Sequence, residues 1–278
     1  MARNNVSVIG FADDAAILRI FAKRLGVRPL FAKTATYPAG EMALSGPAEP
    51  GKHMTVVANI KETPDSLFRV LLLAEALRAA GAKRLDLVAP WIAYGRQDRA
   101  VQAGEAPAGI VVARLLSSAF NKIVTLDAHS ERFQKAFGGK LANILPSTKL
   151  LMPIVRTYDF VAAPDRGANG RTQRIAKAAR LPMIQFVKKH IGRTVSVKAE
   201  GKMDVRGKCV LLIDDLVDSG ATLIAAARVL RSAGAEHVDA FVTHAVDLKV
   251  LKRRTRGWIG SVQAAFDHAS GDYAEWLM

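Results

Sequence analysis

Short β-branched runs alternate with stretches of helical apolar spacing almost from end to end of the chain. Residues 55–60 read as a strand. Residues 65–80 follow with Leu67, Val70, Leu71, Ala74 and Leu77 at the three-and-four spacing of one helical face. Gly81 stands where a left-handed cap closes such a helix. A strand over 84–89, a helix over 108–118 and a strand over 122–126 continue the rhythm. The second half repeats it, with strands over 160–163, 209–213 and 238–242 and helices over 171–179 and 222–233. Strands joined by helices of this length predict right-handed βαβ crossovers, hence an α/β fold with mainly parallel sheets. At ~150 residues per domain, 278 residues suit two domains. The expected division is 1–146 and 147–278, because at Leu145-Pro146-Ser147 a Pro follows a polar patch and a new series of elements starts.

In open α/β sheets, ligands gather beyond the C-terminal ends of the strands. That places interest on four polar clusters that follow predicted strands: 91–98, 127–130, 164–170 and 214–222. The last is the most informative. An apolar strand runs into Asp214 and Asp215, then Asp218, then Ser219, Gly220, Ala221 and Thr222, and then a helix. Small residues let backbone N–H groups close round a phosphate, and the helix N-terminus adds positive charge. Ser219 and Thr222 can donate hydroxyl hydrogen bonds, and Asp214 and Asp215 can accept them from a sugar diol. The combination suits a phosphorylated ribose. No Gly-Lys-Ser/Thr triplet is present in it, so it is not a Walker loop.

Composition narrows the partners. Half of the chain is hydrophobic and 23% charged, which excludes global disorder. The net charge of +15 favours anionic ligands. Twelve Lys/Arg against two acids fall in 166–208, and Lys249 and Lys252-Arg253-Arg254-Thr255-Arg256 form a second basic cluster. No helix-turn-helix or RNA module is recognisable, so nucleic acid is not an expected partner. The lone Cys209 excludes an internal disulfide and, set in an apolar run, reads as a small core residue. No apolar stretch is long enough to span a bilayer and the N-terminus lacks a signal-peptide pattern, so the expected location is the cytoplasm.

The 214–222 segment resembles the 5-phosphoribosyl 1-diphosphate (PRPP) loop shared by type I phosphoribosyltransferases and PRPP synthetases. Pro90-Trp91-Ile92-Ala93-Tyr94-Gly95-Arg96-Gln97-Asp98-Arg99 is similar to the ATP-site signature of the synthetases, which ordinary transferases lack. Tyr37-Pro38-Ala39-Gly40-Glu41, Thr125-Leu126-Asp127-Ala128-His129 and Ala163-Pro164-Asp165-Arg166-Gly167 fall in the synthetase order. The chain therefore resembles the ribose-phosphate pyrophosphokinase family.

That resemblance implies two phosphoribosyltransferase-type, Rossmann-like domains, ATP and ribose 5-phosphate as substrates, Mg²⁺ as cofactor and a homo-oligomer built on dimers. Arg96, Gln97 and Arg99 would contact ATP, and Ala39, Gly40 and Glu41 would reach the adenine bound to a neighbouring subunit. His129 and Asp165 would contact metal. Asp214, Asp215, Asp218, Ser219, Gly220, Ala221 and Thr222 would hold ribose 5-phosphate. Lys188 and His190 would sit in a catalytic loop closing over the diphosphate. Two departures stand out: Ala39 replaces the family's usual Asp, and His190 its usual Arg. A neutral imidazole lacks the permanent bidentate cation of Arg. The alternatives are a catalytically weak regulatory homologue and a transferase that consumes PRPP. After Thr243-His244-Ala245 the resemblance weakens.

Overall fold

The computed structural model describes residues 6–191, 194–201, 204–270 and 272–273, with backbone alone at 146–150, 189–191, 194–195 and 272–273. The chain forms two compact units, Met1–Ile144 and Leu145–Met278.

The first unit runs β1 (Val6–Gly10), α1 (Ala15–Leu25), β2 (Pro29–Phe31), β3 (Lys33–Thr36), β4 (Met42–Ser45), β5 (His53–Val57), α2 (Pro64–Ala79), β6 (Arg84–Val88), α3 (Ala108–Ala119), β7 (Lys122–Leu126), α4 (Glu131–Lys135) and β8 (Leu141–Ile144). Six strands make a parallel sheet in the order β2-β1-β5-β6-β7-β8, and β3 and β4 form a separate antiparallel hairpin. Alternate side chains supply two faces: Ile9, Met54, Val56 and Leu87 join a core with Val70, Leu73 and Leu77 of α2 and Leu116 of α3. On the other face Val8 and Val57 pack with Leu18 of α1. Helix α2 starts with Pro64 in its first turn, where a missing N–H costs nothing, and Gly81 follows it at φ +106.

The second unit runs α5 (Pro146–Val155), β9 (Phe160–Ala163), α6 (Asn169–Ala179), β10 (Met183–Ile191), β11 (Thr194–Ala199), β12 (Cys209–Val217), α7 (Ala221–Ser232), β13 (His237–Ala245), α8 (Leu248–Thr255), β14 (Val262–Asp267) and β15 (Asp272–Tyr273). Its sheet order is β11-β10-β9-β12-β13-β14-β15, parallel from β10 to β14 and closed at each edge by an antiparallel strand. Again successive residues divide between faces. Ala162, Leu212 and Val242 pack with Leu223 and Ala227 of α7, whereas Val161, Leu211 and Phe241 pack with Leu151 and Ile175 of α5 and α6. Such near-continuous apolar runs are what a sheet covered on both sides requires.

Three expectations change here. Strand β12 does not end at Ile213: it stays paired with β13 out to Val217↔Ala245, so Asp214 and Asp215 are strand residues and the turn proper begins at Asp218. The expected loop over Lys188 and His190 is a strand, because the part of β10 beyond Gln185 leaves β9 and pairs with β11 as an antiparallel ribbon. Cys209 is half-buried at the start of β12 and not a core residue. Burial, then the carboxylates of Asp159, Glu236 and Asp239, push its thiol pKa up, away from reactivity.

Candidate active site

In each unit the parallel sheet has one place where successive connections leave in opposite directions, and a crevice forms there beyond the strand ends. In the second unit it lies between β9 and β12, since β9 leads outward to β10 and the chain then returns to β12 on the other side. Asp165 follows β9, and Asp214 and Asp215 are the sixth and seventh of the nine residues of β12. The topology thus gathers three carboxylates from two distant segments.

The carboxylates have distinct settings. Asp165 caps the turn that leads into α6, its Oδ1 accepting from the N–H groups of Gly167 (2.9 Å) and Ala168 (3.3 Å). Asp215 is 5% exposed and pairs with the guanidinium of Arg171 at 2.7 Å; the same nitrogen stands 3.9 Å from Asp214. Arg171 is itself 6% exposed, in the first turn of α6. Burial pushes the Asp214 carboxyl well above the ordinary range, and the neighbouring Asp215 and Asp165 charges add to it while Arg171 opposes them. A buried carboxyl of high proton affinity, flanked by two more, is short of positive charge. A hard divalent cation taking few protein ligands would relieve it. Among the described residues, no three His, Cys, Asp or Glu side chains are grouped closely enough to hold a metal unaided. An ion here would be completed by substrate oxygens and water.

Beyond Val217 the chain turns through Asp218 and Ser219, both exposed, into Gly220, which is left-handed at φ +75 and caps α7. A Cβ on Gly220 would stand 2.7 Å from Leu251 Cδ1 as well as in a conformation that L side chains avoid. Ser219 Oγ accepts from the Ala221 N–H at 3.4 Å, and Thr222 is half-buried in the first turn of α7. The result is an exposed turn with its amides directed by a helix start, the geometry that receives a phosphate. Lys188 is half-buried on β10 opposite Val197 and, two residues from buried Phe186, shares that residue's face of the strand. Phe186 and Val197 pack into the core that α7 covers. The backbone of His190 pairs with Val195, and its side chain lies outside the described residues.

In the first unit the corresponding crevice lies between β1 and β5. A polar network fills it that the sequence did not single out. Asp14, 4% exposed, accepts from Asn59 Nδ2 at 2.9 Å, and Asn59 Oδ1 accepts from the Trp91 backbone N–H at 3.0 Å. Burial, and then Asp13, raise the Asp14 pKa. Burial pulls Asp13 the same way, but hydrogen bonds from Arg69 (2.8 Å) and Lys61 (2.9 Å) hold it below its ordinary range. The Trp91 indole donates to Glu62 Oε1 at 3.3 Å and the Tyr94 hydroxyl to the Glu62 carbonyl at 2.5 Å. These bonds fix the start of the segment that presents Arg96, Gln97 and Arg99, all three exposed.

The same segment is held from its other side. Gln97 N–H donates to Tyr94 O (2.8 Å), and Gly109 N–H, in the first turn of α3, donates to Gln97 O (3.0 Å). A Cβ on Gly109 would lie 2.5 Å from the Tyr94 carbonyl oxygen, so only glycine permits this approach. Ser130 donates to Asp98 at 2.6 Å, and Gly95 sits against Phe133 and the Cβ of His129. The structure therefore brings His129 beside the Arg96–Gln97 turn. Ala39, Gly40 and Glu41 form the tip of the β3–β4 hairpin, exposed and held by its own bonds, Tyr37 N–H to Glu41 O and Gly40 N–H to Tyr37 O, both 2.8 Å. His129 belongs to the first unit and Asp165 to the second.

A doubly covered parallel sheet with an acid–small-residue turn at its switch point defines a phosphoribosyltransferase-type domain. Consistent with it, the family model "Phosphoribosyl transferase domain" matches residues 103–263. A second model, "N-terminal domain of ribose phosphate pyrophosphokinase", matches 8–119. The chain belongs to the ribose-phosphate pyrophosphokinase family. A relative of that name from Pyrococcus furiosus is 34% identical over 212 residues, covering 76% of each chain. One from Saccharolobus solfataricus is 29% identical over 257 residues, 90% of this chain and 88% of the relative. In fold, the crystal structure of phosphoribosylpyrophosphate synthetase from Mycobacterium smegmatis matches with a TM-score of 0.76 at 24% identity, over 95% of this chain and 88% of that one.

Proposed function

We propose that this chain is a ribose-phosphate diphosphokinase, moving the β,γ-diphosphoryl group of ATP to the 1-hydroxyl of ribose 5-phosphate and releasing AMP. The product, PRPP, is a precursor for nucleotide biosynthesis. One observation carries the reading: the PRPP-type turn at 218–222 and the Trp91–Arg99 segment occur in one chain, each beyond the C-terminal end of a parallel strand. A PRPP-consuming transferase needs the first and has no use for the second.

The 5-phosphate sits on the turn from Asp218 to Thr222, with the start of α7 behind it. The ribose hydroxyls donate to Asp214 and Asp215, which orients the sugar with its anomeric oxygen towards the diphosphate. Arg171 holds Asp215 in that position. Arg96 and Gln97 hold the nucleotide, Arg99 a phosphate, and Lys188 meets the diphosphate as its charge redistributes during transfer. Asp165 and His129, one in each unit, are each candidate contacts for Mg²⁺, which would supply charge neutralisation to the transferring phosphoryl groups. The hairpin tip at Ala39–Glu41 reaches the adenine of a neighbouring subunit in a homo-oligomer. Ala39 offers that adenine no side-chain hydrogen bond, so purine discrimination there is weak.

The test is product analysis. Purified protein with ATP, ribose 5-phosphate and Mg²⁺ should release AMP in proportion to ribose 5-phosphate consumed. Release of ADP would indicate an ordinary phosphoryl transfer. PRPP consumption with a free base and no use of ATP would indicate a transferase.

A further inference from the structure

Helix α8 packs against the phosphate turn through Leu251 and Thr255, which face Gly220, and its basic side chains lie on the exposed face. In a parallel sheet the phosphate turn and the acids occupy the C-terminal strand ends. The cleft lies where α8 runs out through Arg256 and β14 begins at Val262, with Gly260 N–H bonded to Val238 O near the start of β13. Its walls are Lys252, Thr255, Arg256, Ile259 and the backbone at Gly260 and Ser261, and it holds about 320 Å³.

Three observations single this surface out. First, Lys249, Lys252, Arg253, Arg254 and Arg256 are all exposed, and among the described residues none of them pairs with a carboxylate. The buried face of α8 is carried by Leu251 and Thr255, so the cations fill the outer one. Second, the nearby acids are already engaged: Asp239 accepts from Tyr158 (2.8 Å) and from the Ser261 N–H (2.6 Å), and Asp247 caps α8 through the Val250 N–H (2.8 Å). Third, Trp258, 36% exposed, lies between the two basic helices. The Arg228 guanidinium of α7 stands 4.7 Å from its ring centroid, and Arg231 donates to its carbonyl.

A helix C-terminus favours a cation or two in its last turn. It does not call for four on one short helix and a fifth at its cap, nor for an arginine-backed indole beside a cleft. Exposed α8 cations three and four residues apart lie side by side, with ~5–6 Å between Cβ atoms, and form a row that can neutralise successive phosphates. An exposed tryptophan beside such a row offers a stacking face to a base. We infer that the α8–Trp258 surface binds single-stranded nucleic acid, through phosphodiester contacts to Lys252, Arg253 and Arg256 and stacking on Trp258.

The experiment uses the full chain and a fluorescein-labelled oligouridylate of ~15 nucleotides, within the length one such groove covers. Anisotropy titrations at rising salt give affinity and its salt slope. The parent should bind, with a slope that falls by about 0.7 for each cation removed. The double variant Lys252→Glu/Arg256→Glu should lose at least tenfold in affinity while forming AMP at the parent rate. Trp258→Ala should lose ~5- to 100-fold, the range for one stacked base. Saturating Mg·ATP and ribose 5-phosphate should not displace the oligonucleotide. The inference is overturned if the charge-reversed variant binds as well as the parent, or if ATP displaces the oligonucleotide. It also fails if polyglutamate of equal charge competes equally, which would mark the patch as a surface for acidic protein.

Discussion

Replacing Gly109 by Ala tests how tightly the nucleotide segment is held. Gly109 is the second residue of α3, and its would-be Cβ is 2.5 Å from the Tyr94 carbonyl oxygen. Both partners are backbone, so no side chain can swing aside. Reaching an ordinary contact of 3.4–4 Å takes a displacement of ~0.9–1.5 Å. That shift also stretches the Gly109-to-Gln97 bond from 3.0 Å to beyond hydrogen-bonding range. Ala is the better helix former by ~1 kcal/mol, whereas overpacking costs ~1–3 kcal/mol. The net effect on stability therefore lies between ~0 and ~2 kcal/mol, small enough to leave the protein folded. Function suffers more, because a misplacement of ~1 Å at a positioning group can cost ~10²-fold. The variant should show the ATP KM raised at least tenfold and the ribose 5-phosphate KM within about twofold of the parent, by initial-rate AMP assays. An unchanged ATP KM in a folded variant would refute the claim that α3 sets the Arg96–Gln97 turn.

Arg171→Met should destabilise the protein by ~3–5 kcal/mol in urea unfolding, since it strands the buried Asp215 carboxylate; adding Asp215→Asn should recover much of that, and a loss under ~1 kcal/mol would argue against the pair. Asp214→Asn addresses pH. A carboxyl whose folded pKa is raised costs stability fully above that value, and the cost fades as pH falls towards the unfolded pKa near ~4. The Asn variant should therefore unfold at higher urea than the parent at pH 8 and lose that advantage at acid pH; a pH-independent difference would contradict the assignment. Lys188→Ala should lower kcat ~10²-fold or more with little change in either KM, as removal of a transition-state contact does, and near-full turnover at saturation would mean a solvated strand lysine.

What the sequence made legible follows from where the signals sit along the chain. The parallel strands carry apolar runs covered on both sides, and the phosphate turn concentrates acids, small residues and a helix start within nine positions, 214–222. Contributions from distant segments were not legible. Arg171 reads as an ordinary helix-surface arginine until α6 turns it inward against Asp215. Asp14 and Asn59 look like loop residues until β1 and β5 lie side by side and Trp91 crosses their ends. The β10–β11 ribbon was hidden by its own lysines. The ribbon packs into the α7-covered core through Phe186 and Val197, but the charges at Lys188 and Lys189 break the apolar alternation and make the segment look like loop. The β3–β4 hairpin gave no periodic signal because β3 is exposed along its whole length.

The central claim is that one chain moves a diphosphate from ATP to ribose 5-phosphate in a single transfer. ATP carrying ³²P in the β position distinguishes this from every alternative. Incubated with the protein, ribose 5-phosphate and Mg²⁺, it should yield unlabelled AMP and a labelled sugar that carries the isotope at its 1-diphosphate. Label remaining in a nucleotide diphosphate, or no movement of label while the protein stays folded, would contradict the account.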